Sequence, residues 1–491
     1  MKKIMLLLVL AVSLALAVAV VRTFSYYGYQ QVSAEPQIAP IDIDMQAATQ
    51  RFAKALTFAT ISHDDPSKVD TQAFTDFHRF LATAFPLVHQ QANPQTVNEH
   101  SLVFSVQGSD TSLQPALFMG HMDVVPVDDV TREQWQHDPF GGVIANDIVW
   151  GRGAMDDKVT VMALLESLEY LLRQGVQPKR TVYFAFGHDE EVGGEQGAKA
   201  IAETFAQQGI RFAFVLDEGG AVTDGLMQGI QQPVAIVGVA EKGFVNVKMT
   251  VNAEGGHSSQ PPDHTAAGIL ASAIVKVENA PFETDLQFTR MTFDRVGQHA
   301  GFGQKLAMAN LWLLAPLVEA TLLGDPNSAA SIRTTTAVTM LSGSSKSNIL
   351  PTEASAVVNL RTMPGVTTND VIAHLQQAID DPRVTLTPFM ANEASPVSST
   401  DTLGYRLIEK TIRRIDSNVL VAPYMVRGGT DAKHFYPLSD QVYRFMMVTL
   451  TPESLPRFHG INEQLAVADY ERAIRFFHAL LMATAMGDGD A

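Results

Sequence analysis

Cysteine does not occur anywhere in this chain of 491 residues. Disulfides, thiolate metal ligands and thiol nucleophiles are thereby excluded, and any bound metal must be held by His, Asp and Glu. A cysteine-free chain also suits an oxidising compartment. Basic clusters are missing too: 35 Lys and Arg stand against 52 Asp and Glu, a formal net charge of −17. A phosphate backbone is neutralised by grouped cations, so nucleic acid is not expected as a partner. No tandem repeat and no low-complexity block occurs beyond one apolar run at the start.

That run extends from Ile4 to Val21, broken only by Ser13, with Lys2 and Lys3 before it and Arg22 after it. About 18 apolar residues just suffice to cross a bilayer as a helix, and are long for the core of a signal peptide. The two lysines favour an N-in orientation that carries the rest of the chain outward. Val32-Ser33-Ala34 has the small-residue pattern of a cleavage site, but it lies about a dozen residues past the run, further than signal peptidase usually reaches. Residues 1–25 therefore read as a membrane anchor, and 26–44, with Pro36 and Pro40, as a tether. The remainder would face the periplasm or the extracellular space, with secretion after cleavage as the alternative.

Beyond the tether, apolar residues recur at helical spacing up to Phe85, as in Phe52, Ala55, Leu56 and Ala59. Short apolar runs of strand type then alternate with helices: strands near 102–106, 116–119, 180–186 and 212–216, helices near 159–172 and 197–207. This alternation predicts an α/β sheet covered by helices on both faces, with its chemistry at the carboxyl ends of the strands. After Glu241-Lys242-Gly243 the pattern changes. Val245, Val247, Met249 and Val251 alternate cleanly, which suggests an antiparallel sheet with one wet face. The order strand, helix, two strands, helix, strand over 242–393 predicts an inserted ferredoxin-like α+β unit. An extra segment from Phe282 to Asn327 within it is expected to hold one apolar helix, Leu306 to Leu323. The α/β pattern resumes over 394–491, so 45–241 and 394–491 read as two parts of one domain.

Five polar clusters stand mostly at predicted strand ends. They are His121-Met122-Asp123, Gly151 to Lys158 with Asp156 and Asp157, Gly187 to Gly194 with Asp189, Glu190 and Glu191, Asp217-Glu218, and His459 to Glu463. In a strand His121 and Asp123 point the same way, as a metal ligand and its orienting carboxylate require. Adjacent carboxylates repel each other unless a cation or a proton sits between them. Each cluster alone fits a solvated loop or a helix cap. Together they supply the nitrogen and carboxylate donors that a two-metal site needs.

The clusters, in this order and spacing, resemble the di-zinc amidohydrolase family of carboxypeptidase S, aminoacylase and glutamate carboxypeptidase, and most of all the branch of carboxypeptidase S and the N-fatty-acyl-amino-acid hydrolases. Gly255-Gly256-His257-Ser258-Ser259, Asn348 to Arg361 and Gly428-Gly429-Thr430-Asp431 match as well, and the resemblance runs from about Met45 to Met486. It implies a zinc-peptidase-type mixed sheet whose inserted unit is a lid. It also implies two zinc ions, His121 binding one and His459 the other. Asp156 would bridge them, its bond to Asp157 being a candidate non-prolyl cis peptide. Glu191 and Asp217 would complete the two shells, with Glu218 the rival to Asp217. Asp123 would orient His121, and Glu190 would act as general base.

On the lid, His257 would steady the tetrahedral intermediate, while Arg361, the backbone of Gly428, Gly429 and Thr430, and Asn348 would address the substrate's free carboxylate. The implied reaction is hydrolysis of an amide next to such a carboxylate, in a short peptide or an N-acyl amino acid. The alternative is a catalytically silent member; loss of a ligand or of the base would mark it, and none is lost. Many relatives dimerise through the lid and borrow a lid histidine, so a homodimer is one expectation; a lid that closes within one chain, given the insertion, is the other.

Overall fold

The computed structural model describes residues 2–26, 38 and 41–486. Most of the expected tether, including Val32-Ser33-Ala34, lies outside the described residues. The N-terminal run forms helix Lys2–Phe24, 23 residues long and apolar enough to cross a membrane.

Strand Ala116–His121 is buried at all six positions, as an apolar run without alternation requires when both faces of a sheet are covered. It lies between Val182–Gly187 and Phe214–Asp217, parallel to both, so the three strands deliver their carboxyl ends to one edge. Phe118 turns to one face, against Phe184 and Phe214 at ring separations of 5.9 and 5.8 Å, in a core shared with Leu164 of helix Lys158–Arg173 and Phe477 of helix Val467–Met486. Its neighbours Leu117 and Met119 turn to the other face, against Ile201 and Phe205 of helix Ala198–Gln207.

Among the described residues this sheet has ten strands. Ser101–Val106 adds antiparallel on one side, and Val442–Arg444 adds parallel to Phe214–Asp217 on the other. Val234–Glu241 and Leu420–Val426 pair parallel beyond it. Val234–Glu241 has no counterpart among the expected strands.

The inserted unit is a four-stranded antiparallel sheet in the order Thr335–Ser342, Glu353–Thr362, Gly243–Asn252, Val384–Asn392, with helices Ala266–Glu278 and Thr368–Ile379. The chain order and the sheet order together are ferredoxin-like. Gly243–Asn252 alternates buried and half-buried positions, and Val245, Val247, Met249 and Val251 meet Ile269, Leu270 and Leu375 in a core of their own.

The extra segment departs from expectation. In place of one helix from Leu306 to Leu323 there are Gln287–Val296, Phe302–Ala309, Leu311–Leu323 and Pro326–Ile332. The break falls at Asn310, whose buried side-chain amide donates to the Leu306, Ala19 and Thr23 oxygens. The second strand of the inserted unit begins only at Thr335, because Asp325 caps the helix Pro326–Ile332 ahead of it by accepting from the Ser328 N–H at 2.9 Å.

Candidate metal centre and active site

His121 ends its strand buried. Its Nδ1 lies 3.0 Å from the Asp123 carbonyl oxygen and 3.4 Å from Asp123 Oδ1, while Nε2 points at Asp156 Oδ1, 3.0 Å away. The imidazole is thus oriented chiefly by the Asp123 backbone. The Asp123 carboxylate, wholly buried, accepts from the Ser62 hydroxyl at 2.7 Å and from the Glu190 and Glu191 N–H groups at 3.2 and 3.1 Å. It ties the loop after Val182–Gly187 to the end of Ala116–His121, and so fixes Glu190 and Glu191 relative to His121.

Asp156 sits in the turn before helix Lys158–Arg173, and the Asp156–Asp157 peptide is cis. Its second oxygen, Oδ2, is 2.9 Å from His459 Nε2, which in turn is 3.3 Å from Glu191 Oε2. His459 has a left-handed backbone, φ 54°, uncommon outside glycine. The sequence motifs alone leave unassigned the group that holds the Asp156 turn. Glu463, fully buried, accepts from the Met155 and Asp156 N–H groups and from Arg152 Nη1 at 2.8, 3.2 and 2.7 Å. Its sequence signal is no more than its place at the end of the cluster that begins at His459; the Met155 N–H that gives it a role lies 308 positions away.

Among the described residues, two groups of three donors each bring one ligand atom per residue to within 4.8 Å of the others: His121, Asp156 and Glu218, and Asp156, Glu191 and His459. They share Asp156. The residue that joins His121 here is Glu218, where the sequence reading placed Asp217. Asp217 points away and accepts from the Ala432 N–H at 2.8 Å, as alternation at a strand end requires of its neighbour.

The electrostatics suit a cation. Burial, followed by repulsion from Asp156, Asp157 and Asp217, pushes Glu218 well above the ordinary carboxylate range. Burial also raises Glu191. Asp156 is held low against its burial by His121 and His459, and hydrogen bonding to Asp156 and Glu191 lifts His459 to about 10. Buried like charges on this scale need a counter-ion or protons. Among the described residues Glu191 Oε1 has no hydrogen-bond partner, and a buried carboxylate oxygen left without a donor fits a metal.

Two glycines make the packing possible. At Gly194, φ +71°, a Cβ would stand 2.0 Å from Asp431 Oδ1; at Gly153, φ +86°, it would stand 2.8 Å from Val124 Cγ1.

The substrate-binding candidates divide. Thr430 is buried, and both its N–H and its hydroxyl donate to Glu241 Oε2 at 3.0 and 3.1 Å. Its N–H is therefore already committed, and only those of Gly428 and Gly429, both exposed, remain for a ligand. Arg444, also buried, donates to the same Glu241 oxygen at 3.0 Å. Arg361 lies 4.8 Å over the Phe244 ring, half-buried, with no carboxylate paired to it among the described residues. His257 and Asn348 are both exposed on the inserted unit, where strand Gly256–His257 pairs with the distant strand Ile349–Leu350 and His257 stands opposite Ile349. No hydrogen bond joins either to the carboxylate cluster among the described residues.

Histidine and carboxylate donors gathered at the carboxyl edge of a doubly covered mixed sheet define a metallohydrolase of the α/β class. Comparison with known proteins makes this specific. The profile of peptidase family M20/M25/M40 matches residues 117–483, and the chain belongs to that family.

It is 41 % identical over 441 residues to probable carboxypeptidase S-like 2 of Dictyostelium discoideum, covering 89 % of this chain and 84 % of that one. It is 39 % identical over 439 residues to the N-fatty-acyl-amino acid synthase/hydrolase PM20D1 of Xenopus tropicalis, with 87 and 84 % covered. In fold it is similar to the metallo-carboxypeptidase Sso-CP2 of Sulfolobus solfataricus, with a TM-score of 0.63 at 18 % identity, covering 89 % of this chain and 98 % of that one. The chain is accordingly a metallopeptidase-type hydrolase of amide bonds.

Proposed function

We propose that this hydrolase holds two zinc ions and cleaves the amide next to an amino acid with a free carboxylate, in an N-acyl amino acid or a short peptide. The observation that carries this reading is the pair of donor groups meeting at Asp156. His121, Asp156 and Glu218 would hold one ion, and Asp156, Glu191 and His459 the other, with Glu218 in the role first expected of Asp217. Zinc bound there supplies Lewis acidity and brings the pKa of a water down to near 7.

The residues do the rest. Glu190, fixed through its N–H to Asp123, takes the proton of the attacking water and returns it to the leaving amine. Arg361 and the N–H groups of Gly428 and Gly429 receive the carboxylate, for which a planar guanidinium is well shaped. His257 and Asn348 contribute when the lid, or the lid of a second copy, closes over the cluster. Helix Lys2–Phe24 anchors the protein, with the catalytic part on the periplasmic or extracellular side; secretion after cleavage is the alternative. Names of relatives support both substrate types: one is a carboxypeptidase S-like protein and another an N-fatty-acyl-amino acid hydrolase.

The test is zinc-loaded full-length protein on N-oleoyl-phenylalanine and on a panel of Gly-X dipeptides. Turnover of at least one is expected, and inactivity on both would overturn the substrate class. Glu190→Gln should keep its metal and lose roughly 100-fold or more in kcat; unchanged turnover would remove Glu190 from its role.

A further inference from the structure

The helical segment of the inserted unit carries apolar surface that the fold leaves uncovered. In helix Leu311–Leu323, Leu317 is 61 % exposed, Trp312 55 % and Leu313 41 %, and Phe302 on the preceding helix is 55 % exposed. Val318 is the one buried side chain of that helix and Glu319 its one charge. A helix facing water shows polar residues on its outer side. A contiguous apolar face instead marks a place where something binds.

What lies beside this face says what covers it. Helix Lys2–Phe24, apolar and long enough to cross a membrane, ends against the insertion. The fully buried Asn310 amide donates to the Ala19 carbonyl at 3.0 Å and to the Thr23 hydroxyl at 3.1 Å. Arg22 Nε donates to the Ala309 carbonyl at 3.2 Å, and the Phe24 and Phe302 rings meet at 5.8 Å. The Tyr26 hydroxyl donates to Asp294 at 2.9 Å. The helix break and the end of the N-terminal helix are thus one packed unit.

The insertion is too short to cross a bilayer. Its longer helix has 13 residues, about 20 Å at 1.5 Å per residue, against a hydrocarbon core of roughly 30 Å. The two helices also bend by 118° at Asn310.

We infer that Phe302 to Leu323 is a second membrane contact, which embeds its exposed apolar face in the near leaflet of the phospholipid bilayer that helix Lys2–Phe24 crosses. The inference rests on the anchor reading of that helix and is independent of the hydrolase chemistry. Two points of attachment hold the lid at a set height and angle to the bilayer, where one helix and a tether would leave it free to turn.

The chain's own composition provides the probes, since it has no cysteine and three tryptophans. Full-length protein is reconstituted in phosphatidylcholine vesicles whose acyl chains carry bromine. Trp312 emission should be quenched, and Trp312→Phe should lose the quenched component while Trp135 and Trp150 are unaffected. Single-cysteine variants Leu8→Cys, Leu317→Cys and Val130→Cys, each with an environment-sensitive dye, are then exposed to aqueous iodide. Iodide quenching should be lost at positions 8 and 317 and kept at 130, which is 79 % exposed.

Quenching at 317 equal to that at 130, with 8 shielded, overturns the second contact and leaves the anchor standing. Quenching at 8 as well overturns both. Shielding at 317 without bromine quenching of Trp312 assigns the face to a second copy of the chain and overturns the inference.

Discussion

Asp217 and Glu218 are neighbours with opposite fates. The strand that ends at Asp217 turns one carboxylate to the Ala432 N–H and the next toward His121 and Asp156. A sequence supplies both acids at the same place, and only the direction of the last peptide of the strand decides which faces the donors. The consequence is measurable. Glu218→Ala should lose about one of two zinc equivalents on dialysis, whereas Asp217→Asn, which keeps an acceptor for Ala432, should retain both; elemental analysis of the two proteins decides, and the reverse result would restore Asp217 as ligand. His121 and Asp123 were legible because a strand's period of two puts them on one face. The division of labour within Asp123 was not, because its carbonyl serves His121 while its carboxylate serves Ser62, Glu190 and Glu191.

Among the elements, strands that end in polar clusters were the readable ones, since an apolar run followed by glycine and acids marks both the strand and its outlet. Val234–Glu241 is a run of the same unalternating kind, ending in Glu241-Lys242-Gly243, so its signal stands in the sequence as plainly as theirs. Its last residue anchors the glycine loop: Glu241 Oε2 receives Thr430 and Arg444 together. Breaking a buried ion pair by neutralising one partner costs about 3–5 kcal/mol, because the other charge stays buried alone. Glu241→Gln should therefore lower the unfolding free energy obtained from urea titration by an amount in that range, seen as a lower midpoint. It should also raise KM for free-carboxylate substrates more than it lowers kcat, through a loosened Gly428–Thr430 loop; an unchanged KM would detach the loop from substrate binding. The break at Asn310 belongs to the same scale. Composition favours an unbroken helix there, and the partners that end it lie 291 and 287 positions earlier.

Across the whole molecule, one part of the sheet edge gathers Asp156, Glu190, Glu191, Asp217, Glu218 and Asp431, all but Asp156 raised above their ordinary pKa, with burial the first cause in each. Folding against that repulsion is favoured by any cation that binds the folded state alone, by about 2.7 kcal/mol when the free ion stands at 100 times its Kd. Chelation should then lower the melting temperature, and added zinc should restore it; equal melting of loaded and stripped protein would mean that the donors hold no structural ion. The sequence by itself determined the α/β layering, the alternating lid sheet, the apolar N-terminal helix and the strand ends where the donors stand, because periodicity and the position of glycine and acids are local properties of a chain. That Asp156 stands between His121 and His459 was already implied by the family resemblance; only the tertiary structure decided that Glu218 and not Asp217 joins them, and that Glu463 and Glu241 hold the two loops. Each of those pairings joins segments distant in the chain, and a local pattern carries no information about which distant partner a buried charge will meet.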